Sequence, residues 1–116
     1  MRKIEKQMIE AIRNQKPFRS GNTSVIQEIG PDLKNNGNGF VFLHNNLICK
    51  FTLQEIKVTL ANWPSNTTRS RINAICVAFT KSRGIGQRKG KQYLDLLEIN
   101  SQEWHAIPRT GGGFHA

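Results

Sequence analysis

Phe40-Val41-Phe42-Leu43-His44-Asn45-Asn46-Leu47-Ile48-Cys49-Lys50-Phe51 is the stretch that decides the fold class. Two runs of β-branched and aromatic residues, Phe40 to Leu43 and Leu47 to Phe51, flank a short polar link. Asparagine tolerates the positive φ of a tight turn, so His44-Asn45-Asn46 reads as the bend of a β-hairpin. Beyond it, residues 55 to 61 alternate: Ile56, Val58 and Leu60 on one side, Glu55, Lys57 and Thr59 on the other. That period of two is a half-buried strand. Before the hairpin, residues 24 to 29 read as a short strand. Gly30-Pro31-Asp32 and Asn35-Asn36-Gly37-Asn38-Gly39 follow as a loop rich in turn formers.

Helices frame these strands. Residues 2 to 15 place Ile4, Met8, Ile9, Ala11 and Ile12 on one face, with Arg2, Lys3, Glu5, Lys6, Glu10 and Arg13 opposite. Pro17 ends the run, because proline disfavours helix in the residue before it. A second helix opens within Pro64-Ser65-Asn66-Thr67-Thr68, which offers several capping side chains. Its apolar face is Ile72, Ile75, Cys76 and Phe79. Gly84-Ile85-Gly86 closes this region, and residues 91 to 97 form a last strand through Tyr93, Leu94, Leu96 and Leu97. The predicted order is α, β, β, β, β, α, β. It describes an α+β fold: an antiparallel sheet of four to five strands, an N-terminal helix and a second helix after the fourth strand. Residues 1–116 form one domain, and the composition of 101–116 suggests a flexible tail or lid.

A chain of 116 residues has room for one core. With 37% apolar and 22% charged residues, it suits a small globule rather than a disordered segment. Lysine and arginine number 17 against 8 acids, a formal charge of +9, which draws the chain to polyanions. The apolar runs are too short for a bilayer-spanning helix, and no secretory h-region follows Arg2 and Lys3. The expected place of action is the cytoplasm, with no membrane partner. Cys49 and Cys76 lie in apolar stretches and read as reduced core residues. No spacing of cysteines or histidines suits a metal, and neither a metal nor a cofactor is expected. The acids are few and scattered, and no nucleophile signature stands out, so the chain reads as non-catalytic.

Binding chemistry concentrates in Trp63-Pro64-Ser65-Asn66-Thr67-Thr68-Arg69-Ser70-Arg71-Ile72-Asn73. A strand ends at an aromatic, and a helix begins with hydroxyls and two arginines. Helix starts carry unpaired N–H groups and partial positive charge, which suit an anion. Thr67, Thr68 and Ser70 offer hydroxyls, Arg69 and Arg71 offer guanidiniums for phosphate, and Trp63 offers a plane on which a base can stack. Asn73 has an amide able to read a base edge. The alternative is structural: Trp63 in the core, Ser65 to Thr68 as plain caps, Asn73 as a surface residue. Between Arg69 and Lys91 lie seven cations and no acid, a run that suits phosphate contacts or a solvated face. Phe18-Arg19-Ser20-Gly21-Asn22-Thr23 reads as a connection or a small anion nest.

The opening Met1 to Ile9, the Val41 to Ile48 hairpin and the segment from Trp63 through Thr67-Thr68-Arg69-Ser70-Arg71-Ile72-Asn73-Ala74 resemble small bacteriophage proteins over about the first 80 residues. Among these, the chain is similar to the first anti-Thoeris family, viral sponges that counter Thoeris defence. The resemblance implies a non-enzymatic homo-oligomer that traps cyclic ADP-ribose-type signals in the host cytoplasm. In some members it implies cyclic oligonucleotides bound at separate sites. It carries over Trp63 for stacking and Asn73 for hydrogen bonding, with Arg109 as the arginine that closes the pocket. Arg19 and Gly21 would mark the second nucleotide site. Two other readings stand beside it: a small basic nucleic-acid-binding accessory protein, and an inhibitor of a host protein.

Overall fold

In a computed structural model, residues 1–110 are described. Helix α1 (Lys3–Arg13) is followed by strands β1 (Phe18–Ser20), β2 (Thr23–Ile29), β3 (Asn35–Leu43), β4 (Asn46–Phe51) and β5 (Glu55–Val58). Helix α2 (Asn66–Phe79) precedes β6 (Ile85–Arg88), β7 (Lys91–Leu94), β8 (Leu97–Ile99) and β9 (His105–Pro108). The strands form a six-stranded antiparallel sheet, ordered β1-β2-β3-β4-β5-β9, and a small antiparallel sheet, ordered β6-β7-β8. The class is α+β, as the hydrophobic pattern predicts.

The register explains the core. Val25, Val41, Cys49 and Val58 stand side by side across four strands, and Phe51, Ile56 and Ile107 form the next rank. All of them are buried. Met8, Ile9 and Ile12 from α1 and Ile72, Ile75, Cys76 and Phe79 from α2 complete the same cluster. The helices therefore cover one face of the large sheet.

Several elements differ from the sequence reading. The Asn-Gly run at 35–39 is the first half of β3, because Gly37 and Gly39 are buried under Leu53 and Phe51 side chains and leave no room for larger residues. Phe18–Ser20 pairs with β2 as a short edge strand, so α2 follows the fifth strand rather than the fourth. The expected strand over 91–97 breaks at Asp95, which has φ 53° and turns the chain from β7 into β8. Of Gly84-Ile85-Gly86, which the sequence suggests as the close of the α2 region, Ile85 and Gly86 open β6. Most consequential is the segment read as a lid. His105–Pro108 is a strand of the large sheet, paired through Ile56↔Ile107. Ile107 adds to the core, and this apolar gain was hidden by the polar, glycine-rich residues around it. The expected tail residues 111–116 lie outside the described residues.

Both thiols are buried and free. Burial pushes both upward, Cys76 to about 12 and Cys49 further. A buried thiol with so little thiolate is chemically inert. We expect neither to react with Ellman's reagent in the native protein, and both to react once it is unfolded.

Candidate functional site

Two turns build a pocket at one end of the large sheet. The first is His44-Asn45, with φ of 51° and 66°, the paired positive values of a two-residue hairpin turn. His44 N donates to Asn22 O at 2.8 Å, which ties this turn to the β1–β2 turn beside it. The second is Leu60-Ala61-Asn62-Trp63, closed by Trp63 N donating to Leu60 O at 2.8 Å. Ala61 and Asn62 hold φ of 54° and 60°. This conformation is unfavourable for alanine by about 1–2 kcal/mol. Asn62 N donates to Ser101 O, and Ala61 N donates to Thr59 Oγ1, so the turn is held from both sides.

The turn delivers Trp63 to the surface, where 64% of it is exposed. The indole is thus outside the core, against the structural alternative. It rims a cavity of about 270 Å³ lined by Leu43, His44, Asn46, Ile48, Leu60, Ala61, Trp63 and Thr68. Leu43, Ile48 and Leu60 are buried and make an apolar floor, while His44 and Asn46 are exposed on the rim. Ser65 caps α2 by accepting from Thr68 N at 3.1 Å, and its hydroxyl pairs with that of Thr68 at 2.9 Å. Pockets for small organic ligands have this composition, apolar walls with a few polar groups.

The other expected site residues do not gather there. Thr67 is half-buried and is not part of the lining. Arg69 stays near the start of α2 and donates to Pro64 O, Asn66 Oδ1, Gln87 Oε1 and Gln92 Oε1. Every one of these acceptors is neutral, so the guanidinium charge is not cancelled by them. The first turn of α2 carries no acid.

Arg71 corrects the sequence reading. It is 3% exposed, and its Nη1 meets Glu5 Oε2 at 2.8 Å. Its Nε donates to Thr23 Oγ1 at 3.0 Å and its Nη2 to Asn22 Oδ1 at 3.5 Å. Glu5 also accepts from the Ser70 hydroxyl. Burial pushes the Glu5 carboxyl upward, but hydrogen bonds from Ser70, Arg2 N and Arg71, with the Arg71 charge, hold it below its ordinary value. Arg71 is therefore a structural cation. Asn22, which it reaches, also meets the His44 ring, Nδ2 to Nε2 at 3.4 Å. The buried pair thus braces one wall of the pocket. The helical pattern puts Glu5 on the polar face of α1, yet it sits three and four residues before Met8 and Ile9. An acid at that spacing inside an apolar stripe was the available signal that a buried cation must answer it.

Asn73 reads backbone rather than ligand. Its Nδ2 donates to Ile85 O at 2.9 Å, and Ile85 N donates to its Oδ1 at 2.6 Å. Gly84, with φ 97°, leaves no space for a Cβ against this amide. Replacing Asn73 with alanine removes both bonds and leaves the Ile85 N–H unpaired, a cost of about 1–3 kcal/mol. We expect hydrogen exchange of the β6 amides to accelerate in that variant, with much smaller changes in β2 and β3.

Arg109 lies at the far end of α2. Its Nη1 donates to Thr52 O at 2.7 Å, and its guanidinium is 4.7 Å from the Phe79 ring centre. It packs on the last residue of that helix, whereas Trp63 precedes the first, so it does not close the Trp63 pocket. Arg19 and Gly21 are exposed on β1 and its turn, outside the pocket lining.

Over residues 1–113, the chain matches the family described as Kyanoviridae Gp96 protein. It belongs to that family. The protein is thus a phage protein, as the resemblance implied, and the match reports nothing of the narrower anti-Thoeris kinship. No curated protein and no solved structure matches the chain. Among the described residues, no helix is long and apolar enough to cross a membrane. No cluster of three or more histidine, cysteine or acidic side chains there could hold a metal.

Proposed function

We propose that this phage protein binds, without turnover, a small phosphorylated ligand whose base enters the Trp63 pocket. One observation carries the reading: an exposed indole rims an apolar cavity directly before an acid-free helix start. The cavity of about 270 Å³ suits one ring system rather than a whole dinucleotide. The base stacks on Trp63 above Leu43, Ile48 and Leu60, and His44, Asn46 and Thr68 offer hydrogen bonds to its edge. The phosphates lie outside, toward the start of α2 and the uncancelled charge of Arg69. His44 is the one titratable side chain in the lining, which favours holding over acid–base chemistry.

In an infected cell, such binding would withdraw a nucleotide signal from solution. A cyclic ADP-ribose-type molecule is the ligand class this reading favours, and blockade of a host anti-phage defence is its purpose. Arg71 supports the pocket wall without meeting the ligand, and Asn73 and Arg109 have no part in it. Calorimetry at about 0.15 M salt against mononucleotides, cyclic dinucleotides and cyclic ADP-ribose isomers tests the reading. Saturable binding, with ligand of unchanged mass released on heating, is the expected result. Silence across the panel, or a chemically altered product, would reject it.

A further inference from the structure

The small sheet is not used by the Trp63 pocket, and its β6–β7 ribbon has an unusual outer face. Lys89 and Gly90 form its tip, with φ of 50° and 79°, the turn that suits a two-residue hairpin. The register sets Gly86 opposite Tyr93, Gln87 opposite Gln92 and Arg88 opposite Lys91. Strand alternation divides these into two faces. Ile85, Gln87, Gln92 and Leu94 point toward α2, where Ile85 and Gln92 are buried. Arg69 fastens this side by donating to both Gln87 and Gln92, and Asn73 fastens Ile85. Gly86, Arg88, Lys91 and Tyr93 make the opposite face, with the Arg88 guanidinium 4.7 Å from the Tyr93 ring centre.

Charge on this ribbon is one-sided. Arg88, Lys89 and Lys91 are exposed, and none of them is paired with a carboxylate among the described residues. Asp95 accepts from Ser82 Oγ and Arg83 N at the base of the ribbon. Glu98, the register partner of Tyr93 on β8, shares the outer face but forms no ion pair with the three cations. A Cβ at Gly86 would meet nothing within 4 Å, so the face is open beside the tyrosine. A rigidly rooted two-stranded ribbon with three uncancelled cations at its tip matches the width of a nucleic-acid groove and the charge of its walls.

We propose that the β6–β7 ribbon is a nucleic-acid contact arm, with Arg88, Lys89 and Lys91 each taking a backbone phosphate. It is independent of the Trp63 pocket. Fluorescence anisotropy with a labelled 20-base-pair DNA duplex, the matching single strand and an RNA of the same sequence tests it. The wild-type protein should bind at least one of these at about 0.1 M salt with Kd in the micromolar range or tighter. The triple variant R88Q/K89Q/K91Q should bind about tenfold or more weakly, and its plot of log affinity against log salt should be shallower by about 2–3 on a duplex. K3Q/K6Q/K34Q, which removes three exposed charges elsewhere, should fall much less, and Trp63→Ala should bind as the wild type does. Equal losses in both triple variants would reduce the effect to net charge and overturn the proposal. So would failure of the wild type to bind any of the three probes.

Discussion

Glu5→Ala should destabilise the protein by about 3–5 kcal/mol, because it strands the Arg71 guanidinium in the interior. For a chain of this size, that is a fall in Tm of roughly 10–20 °C. Both partners are buried, and their contact joins α1 to α2 across the widest sequence separation of any side-chain bond between the helices. Removing one partner costs more than removing both, so Glu5→Leu combined with Arg71→Met should recover much of the loss. The pH dependence has a definite sign. The Glu5 carboxyl titrates below its ordinary value of 4.5 in the folded protein. Its contribution is therefore complete above the unfolded value and fades as pH falls through the lowered folded one. The wild type should lose stability on acidification below about pH 4.5, and Glu5→Ala should lose less over the same window. Thermal melts of the three proteins, wild type, Glu5→Ala and the double variant, between pH 7 and pH 3 check both statements. A Glu5→Ala protein that melts with the wild type at pH 7 would show the pair to be dispensable.

The second large effect is on binding. Trp63→Ala should leave the fold within about 0.5 kcal/mol of wild type, since the side chain is mostly in solvent and its backbone bonds remain. Base stacking contributes about 1–3 kcal/mol, so the nucleotide should bind roughly 5- to 150-fold more weakly. Trp63→Phe keeps a π-face and should fall between the two. Isothermal titration of the three proteins with the tightest ligand of the panel measures this. If Trp63→Ala binds as tightly as the wild type, the indole has no part in the site.

What the sequence made legible followed from local pattern. The hairpin at 40–51, the alternating run at 55–61, of which Glu55–Val58 pairs as β5, and the two amphipathic helices all announce themselves through period and turn chemistry. Trp63 stood open in the sequence between a stacking plane and a core side chain, and only the turn at Ala61-Asn62 puts it on the surface. The unreadable parts depend on distant partners. Arg71 looks like a phosphate ligand until Glu5, 66 positions away, is placed beside it. Asn73 looks like a base reader until the backbone of Ile85 occupies its amide. Strand β9 is four residues long and gains its stability from β5 and the core, not from its own composition. Arg109 follows from that strand, since the pairing carries it to Phe79 and away from Trp63.

In the proposed complex the indole beside the β5–α2 turn receives a base. Proton–nitrogen correlation spectra during nucleotide titration test it most directly, because the two tryptophans provide a built-in comparison. Trp104 lies beneath the Lys50 ammonium, 4.6 Å from its ring centre, outside the lining of the Trp63 pocket. The Trp63 indole signal should shift saturably, together with the amides of Asn46 and Ala61, while the Trp104 indole stays still. A Trp63 signal unmoved at saturation, with the shifts falling on other parts of the molecule, would contradict it.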